Sequence, residues 1–252
     1  MTVNIIYANV YNKPDFSLIV PTYNERDNIA ILIEKIDKAL KQANYEVIIV
    51  DDNSPDGTSE LARTLVRQYP ITVITRKNQR GLASAIVEGF KQAEGSILGV
   101  IDADLQHPPE ILPKLLERVK NGAGMAIASR YIDGGEIKGW SIKRQIISVM
   151  SKLLAQILLP TTRKIKDPLS GFFIIKREVI KGIRLSPTGY KIALEILVKG
   201  HTNEIVEVPY TFVKREKGKS NLDIREGINY IIHLYSLVKY RRSMQYAKVK
   251  VI

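Results

Sequence analysis

Ile97 to Pro109 reads ILGVIDADLQHPP. The apolar run Ile97 to Ile101 is long enough for one buried strand, and it stops at Asp102, with Asp104 two residues on. In extended chain, residues i and i+2 point the same way, so both carboxylates can converge on one hard divalent ion, Gln106 and water completing an oxygen shell. The same letters also suit a solvated strand-to-helix loop in which either aspartate caps a helix that opens at Pro109. Both readings stay open on this stretch alone.

Working outward, the pattern repeats. Phe16 to Val20 predicts a strand followed by PTYNE (Pro21 to Glu25) and a helix with Ile29, Leu32, Ile33, Ile36 and Leu40 on one face. Val47 to Val50 predicts a strand that runs into DDNSPDGT (Asp51 to Thr58) and a helix bearing Leu61, Ala62, Leu65 and Val66. Ile71 to Ile74 precedes RGLASA (Arg80 to Ala85), and Gly124 to Ala128 reads as a fifth strand. Strands alternating with amphipathic helices predict an α/β fold with a mostly parallel sheet sandwiched by helices. Ligands of such sheets sit beyond the carboxyl ends of the strands, which places PTYNE, DDNSPDGT and DADLQ around one crevice. No GxGxxG or GxxxxGK[ST] follows the first strand, which disfavours a dinucleotide site or a P-loop.

The 252 residues suit a single domain, 1–252, with residues 1–15 as an N-terminal extension. The absence of cysteine excludes disulfides, thiolate metal sites and thiol nucleophiles. No signal peptide is expected, and no apolar tract approaches the about 20 residues that span a bilayer. Charge is divided unevenly. Residues 1–136 hold 15 Lys+Arg against 18 Asp+Glu, whereas residues 137–252 hold 23 against 8, so the net +12 lies in the second half, which wants an anionic partner. Within that half, 138–160 combines Trp140, an apolar stripe (Ile142, Ile146, Met150, Leu153, Ile157) and basic flanks. It reads as a membrane-interface helix or as an ordinary core helix. Val206 to Val213 reads as an edge strand broken by Pro209, and 223–242 as an amphipathic helix with a basic end. His107, His201 and His233 are read as structural.

PTYNE, DDNSPDGT, RGLASA, DADLQHPP, SRY, GWSIKRQIIS, DPLSGFF and VPYTFVKREKGKSNL, in this order, resemble the polyprenyl-phosphate branch of the family 2 glycosyltransferases. The resemblance implies a GT-A (Rossmann-like) catalytic domain that moves mannose, with inversion, from GDP-mannose to a polyprenyl or dolichyl phosphate. It implies that Pro21, Tyr23, Glu25 and Asp52 hold the nucleoside, with Ala103 beside them. Asp102, Asp104 and Gln106 would bind Mg²⁺ or Mn²⁺ on the donor diphosphate, and Lys191 and Arg215 would steady the diphosphate and sugar. Arg130, Arg144 and Ser148 would take the acceptor phosphate. Asn221 follows Ser220 where the branch often has Lys, so no cationic contact is expected there. The same scaffold serves UDP-glucose in glucosyl transfer, and the basic half alone would also fit a non-catalytic module binding anionic lipid or RNA. With the acidic loops intact, no nucleic acid is expected. The resemblance implies a cytoplasmic protein peripheral on the cytoplasmic face of a membrane, an anionic surface it meets alone, through 138–160, or through a separate membrane-anchoring subunit.

Overall fold

The protein is described from a computed structural model covering residues 3–6, 13–186, 190–202, 204–213 and 224–249. In chain order the elements are β1 (Val3–Ile6), β2 (Phe16–Thr22), α1 (Arg26–Leu40), β3 (Tyr45–Asp51), α2 (Thr58–Leu65), β4 (Ile71–Arg76), α3 (Leu82–Gln92) and β5 (Ile97–Val100). They continue with α4 (Leu112–Lys120), β6 (Met125–Ser129), β7 (Glu136–Ile137), α5 (Ile142–Leu158), β8 (Phe173–Lys176), α6 (Ile192–Lys199), β9 (Ile205–Pro209), β10 (Thr211–Phe212) and α7 (Ile224–Val249). Among the described residues one sheet has eight strands in the order β1-β4-β3-β2-β5-β8-β6-β9, and β10 pairs with β7 in a second, small sheet.

The β4-β3-β2-β5 block is parallel throughout, with β1 and β8 running against their neighbours and β9 parallel to β6. After β2 the chain builds outward through β3 and β4, then returns to lay β5 on the other side of β2. That reversal opens a crevice beyond the carboxyl ends of β2 and β5. Strand side chains alternate between two cores. Phe16, Leu18 and Val20 of β2 join the core under α1, α2 and α4, whereas Ile19 joins the one under α3 and α6. A third cluster lies where α5, α6 and α7 meet, around Ala155, Leu194, Tyr230, Leu234 and Leu237.

Two differences from the sequence reading follow from pairing at a distance. Val3–Ile6, read only as an extension, adds an antiparallel edge strand to β4, with Ile5 opposite Ile74. The segment read as one broken strand is two strands in two sheets. β9 ends at Pro209, Tyr210 donates its N–H to the Ser129 carbonyl at 3.2 Å, and β10 then pairs with β7. Pro209 lies on an edge strand, where its missing N–H faces away from β6 and costs no ladder bond, and the partner changes at Tyr210, whose carbonyl accepts from the Glu136 N–H of β7 at 3.1 Å.

Close packing of α3 on β2 depends on Gly89, where an added Cβ would stand 2.7 Å from Cγ2 of Ile19 and 3.3 Å from Cγ2 of Val50. Gly89→Val is therefore expected to lower stability by about 1–3 kcal/mol through overpacking. Urea unfolding with an unchanged slope and a lower midpoint would show it, and an unchanged midpoint would mean that the contact is not tight.

Candidate active site

Three loops at the strand ends carry the acidic motifs, and each turns on a residue in left-handed conformation: Asn24 (φ 58°), Asn53 (φ 55°) and Leu105 (φ 62°). Asparagine enters that region readily, but a leucine there is uncommon and strained, and Leu105 is held in place by packing on the core. The first two loops are stitched together by Asp51, which accepts from Thr22 Oγ1 at 2.9 Å and from the Ser54 N–H at 2.9 Å. The Asn24 N–H donates to Ser54 Oγ at 2.9 Å, and the Glu25 N–H to Thr58 Oγ1 at 2.9 Å.

Asp52 is fixed differently. Arg76, 2% exposed at its side chain, donates through Nε to Asp52 Oδ1 at 2.7 Å, and the Gly81 N–H donates to Oδ2 at 2.8 Å. Burial raises the Asp52 carboxyl above its ordinary range, against the downward pull of the Gly81 N–H and the Arg76 guanidinium. Gly81 has φ 140°, a conformation that a side chain would strain, so the RGLASA loop reaches Asp52 only with glycine there.

Pro21, Tyr23, Glu25, Asp52, Asp102, Ala103 and Asp104 line one pocket of about 380 Å³, so every expected nucleoside residue and both metal-site aspartates come together. Arg80, Gly81, Leu82 and Ala85 of the RGLASA segment complete the wall, and the Arg80 guanidinium lies 4.4 Å over the Tyr23 ring. Glu226, from the first turn of α7, also lines it. Nothing in the sequence reading selected Glu226, because an acid in a first helical turn reads as an ordinary partner of the helix dipole.

Gln106 is not on the pocket wall. Its amide nitrogen donates to the Val213 carbonyl at 3.0 Å, and its own N–H donates to Asp104 Oδ1 at 3.1 Å. This binds it to the acidic turn and to the end of β10, through its two nitrogens, so that it braces Asp104. His107 is structural, as read. Its ring stacks on Phe172 at 5.3 Å and meets Tyr210 and Phe212 edge-on, and Nδ1 accepts the Asp102 N–H at 3.4 Å. Burial pulls its pKa down to about 4, so it is neutral at ordinary pH. An all-oxygen pair such as Asp102 and Asp104 fits Mg²⁺ or Mn²⁺. Among the described residues no group of three or more His, Cys, Asp or Glu could hold a metal, which leaves the further places to an amide oxygen, a ligand's phosphates and water.

A cationic group adjoins the pocket. Arg130 donates through Nε to Asp167 Oδ2 at 2.7 Å and through Nη2 to Oδ1 at 2.8 Å, a bidentate pair almost wholly buried. Burial works against the Arg130 charge, and Asp167 more than offsets it, leaving the guanidinium more basic than usual. The Trp140 ring has Arg144 over it at 4.2 Å and Arg130 at 5.4 Å, and packs edge-on against Phe212. The tryptophan read as an interface anchor therefore organises these arginines. Ser148 Oγ shares a hydrogen bond with the Tyr131 hydroxyl at 2.9 Å. Lys191, just before α6, donates to the Leu169 carbonyl at 3.1 Å, and burial, then Arg130, draws its pKa down to about 8 against Asp167 and Asp102. Arg215, Ser220 and Asn221 lie outside the described residues.

Among solved structures, the chain superposes with a TM-score of 0.69 on a glucosyl-3-phosphoglycerate synthase from Mycobacterium tuberculosis in complex with Mn²⁺, UDP and glucosyl-3-phosphoglycerate. That match covers 90% of this chain and 80% of that one at 19% identity, a likeness of fold. The architecture is that of a GT-A glycosyltransferase. The chain belongs to glycosyl transferase family 2, whose model matches residues 17–184. It is 49% identical over 224 residues, 89% of its length, to the dolichol-phosphate mannosyltransferase of Pyrococcus furiosus, of which it spans 64%. It is 38% identical to that of Mycosarcoma maydis and 37% identical to that of Saccharomyces cerevisiae, covering 91% and 90% of this chain and 81% and 88% of theirs. Membership of this family sets the non-catalytic reading aside.

Asp167, within DPLSGFF, has the task of fixing Arg130. Asp167→Ala is expected to cost about 3–5 kcal/mol, because it leaves a buried guanidinium uncompensated. Replacing both residues, as Arg130→Met with Asp167→Leu, should restore most of that loss in denaturant unfolding. A single variant as stable as the parent would show the pair to be solvated.

Proposed function

We propose that the chain transfers mannose from GDP-mannose to the phosphate of a polyprenyl or dolichyl phosphate, inverting the anomeric carbon. The observation that carries this reading is the meeting of two opposite charge groups. Asp102 and Asp104 line the donor pocket, and Arg130, Arg144 and Lys191 lie next to it, close enough that Lys191 feels Asp102 and both arginines. The relatives at 37–49% identity are named for dolichol-phosphate mannosyl transfer, which supports the choice of sugar and acceptor.

In this reading the loops of Pro21 to Glu25, Asp52 and Arg80 seat the nucleoside. Asp102 and Asp104 hold the divalent ion, which, when bound, offsets the charge that builds on the leaving diphosphate. Gln106 braces Asp104, and His107 supports the backbone of Asp102. Arg144, and the edge of Arg130 turned away from Asp167, take the acceptor phosphate with Ser148. A phosphate monoester with a second pKa near ~6 is largely dianionic at neutral pH, so it attacks without a general base. The side chains neutralise and align. Lys191 adds positive charge to the diphosphate and sugar, and Arg215 is assigned the same role from the resemblance alone.

Exposed apolar side chains on two packed helices support docking to a membrane. α5 exposes Ile142, Ile146, Met150, Leu153 and Ile157, and α7 exposes Ile228, Ile231, Ile232 and Tyr235. The two helices are joined by the Tyr230 hydroxyl donating to the Ser151 carbonyl at 2.6 Å. Lys143, Lys239 and Arg242 are exposed on the same helices, which suits an anionic bilayer surface. Among the described residues no helix is long and apolar enough to cross a membrane.

With Mg²⁺ or Mn²⁺, sugar should pass from labelled GDP-mannose to dolichyl phosphate, far faster than from UDP-glucose. Chelation should abolish transfer, and Asp104→Ala and Arg144→Ala should each lower kcat/KM at least ~100-fold. Full activity in both variants would sink the site assignment, and preference for UDP-glucose would sink the donor. Flotation with vesicles containing phosphatidylserine tests the docking face. The parent should float, Ile146→Glu with Ile231→Glu should remain at the bottom, and flotation of both alike would refute it.

A further inference from the structure

α7 has two sides. Glu226, Tyr230, His233, Leu234 and Leu237 recur at helical spacing along its inner face. The last four are buried: Tyr230, Leu234 and Leu237 pack in the cluster with α5 and α6, and His233 Nε2 stands 3.8 Å from Glu195 of α6. Glu226 is the first member of that stripe, and unlike the others it lines the pocket that holds Asp102 and Asp104. Its Oε2 is buried and, among the described residues, accepts no hydrogen bond.

Its place within the pocket can be narrowed. The Tyr190 phenol is raised first by burial and then by Glu226, and lowered by Arg144, so Glu226 stands within electrostatic reach of a residue beside Lys191. Asp52, Arg76 and Arg80 belong to the other loops, at the ends of β3 and β4. Glu226 thus reaches the pocket from α7 and not from the three acidic loops, and it lines it together with Asp102 and Asp104, beside which a transferred sugar must lie if these two hold the donor diphosphate.

We infer that Glu226 is a sugar-recognition residue, its carboxylate accepting a hydrogen bond from a hydroxyl of the hexose carried by the nucleotide donor. The chemistry selects that part of the ligand. A carboxylate repels the diphosphate and the acceptor phosphate alike, whereas sugar hydroxyls are donors. A buried oxygen with room for a donor gains from such a bond and disfavours a sugar that presents no hydroxyl there. The inference rests on the donor reading above and deepens it, adding a specificity contact from outside the three acidic loops.

The test measures binding by calorimetry with Mg²⁺ present, using GDP and GDP-mannose against the parent, Glu226→Gln and Glu226→Ala, with thermal unfolding to confirm that both variants fold. GDP should bind all three equally, whereas GDP-mannose should bind the variants about 10- to 100-fold more weakly, the range for one hydrogen bond to a charged group. Monodeoxy-mannose donors should include one that weakens binding to the parent but causes no further loss in Glu226→Ala. Equal GDP-mannose binding in parent and variants overturns the inference. So does parallel loss of GDP and GDP-mannose, which would make Glu226 a metal or diphosphate contact. A parent that binds GDP-glucose or UDP-glucose in place of GDP-mannose overturns the mannosyl reading, and the same comparison with that donor then decides Glu226. A parent that binds no nucleotide sugar overturns both.

Discussion

Everything at the site depends on β5 lying beside β2. Phe16 pairs with Ile97 and Ile19 with Val100, so the chain segments leaving these two strands, PTYNE and DADLQ, emerge next to each other although some 80 residues separate them. The pairing is close because Gly99 leaves space that Phe16 and Leu18 fill; an added Cβ there would stand 2.7 Å from Phe16 Cζ. From that juncture β3 and β4 bring Asp52 and Arg76 in from one side, and β8 and β6 bring Asp167 and Arg130 in from the other. The order of strands thus separates an acidic side from a cationic side before any side-chain detail is considered.

The parts of this plan that were legible in the sequence are those written in local periodicity. β2 to β6 and the helices between them follow apolar runs and 3.6-residue stripes, and their carboxyl-end loops carry the acids that gather at the crevice. What was hidden depends on partners distant in sequence. Val3–Ile6 becomes a strand only because β4 offers a free edge. Nothing near Arg130 announces that its carboxylate is 37 residues away, and Arg76, in a strand between ordinary loops, does not look like a buried ion-pair partner of Asp52. Gln106 could not be placed because its direction is set by Val213, which follows the passage from one sheet to the other. Glu226 was missed for a similar reason, since a helix register tells which face is apolar but not which end meets a pocket.

Charge explains how an acidic side and a cationic side make one site. The acidic half contributes carboxylates whose environments are filled by hydrogen bonds from backbone N–H groups and from Arg76. The cations come from both halves of the sequence: Arg130, from the acidic half, is neutralised by burial with Asp167, and Arg144, from the basic half, stacks on Trp140. Each side alone would suffer from desolvation or self-repulsion, and placed edge to edge they offset one another.

His107 gives the acidic loop a property that distances alone do not convey. Its Nδ1 receives the Asp102 N–H only while that nitrogen keeps its lone pair, and burial among Phe172, Tyr210 and Phe212 keeps it there down to a pH of about 4. The support of the turn is therefore silent to titration across the range in which phosphate esters and Lys191 change their charge. A change of activity near neutrality would then report on the ligands and the cations around them, while the carboxylate geometry stays where the aromatic box has set it.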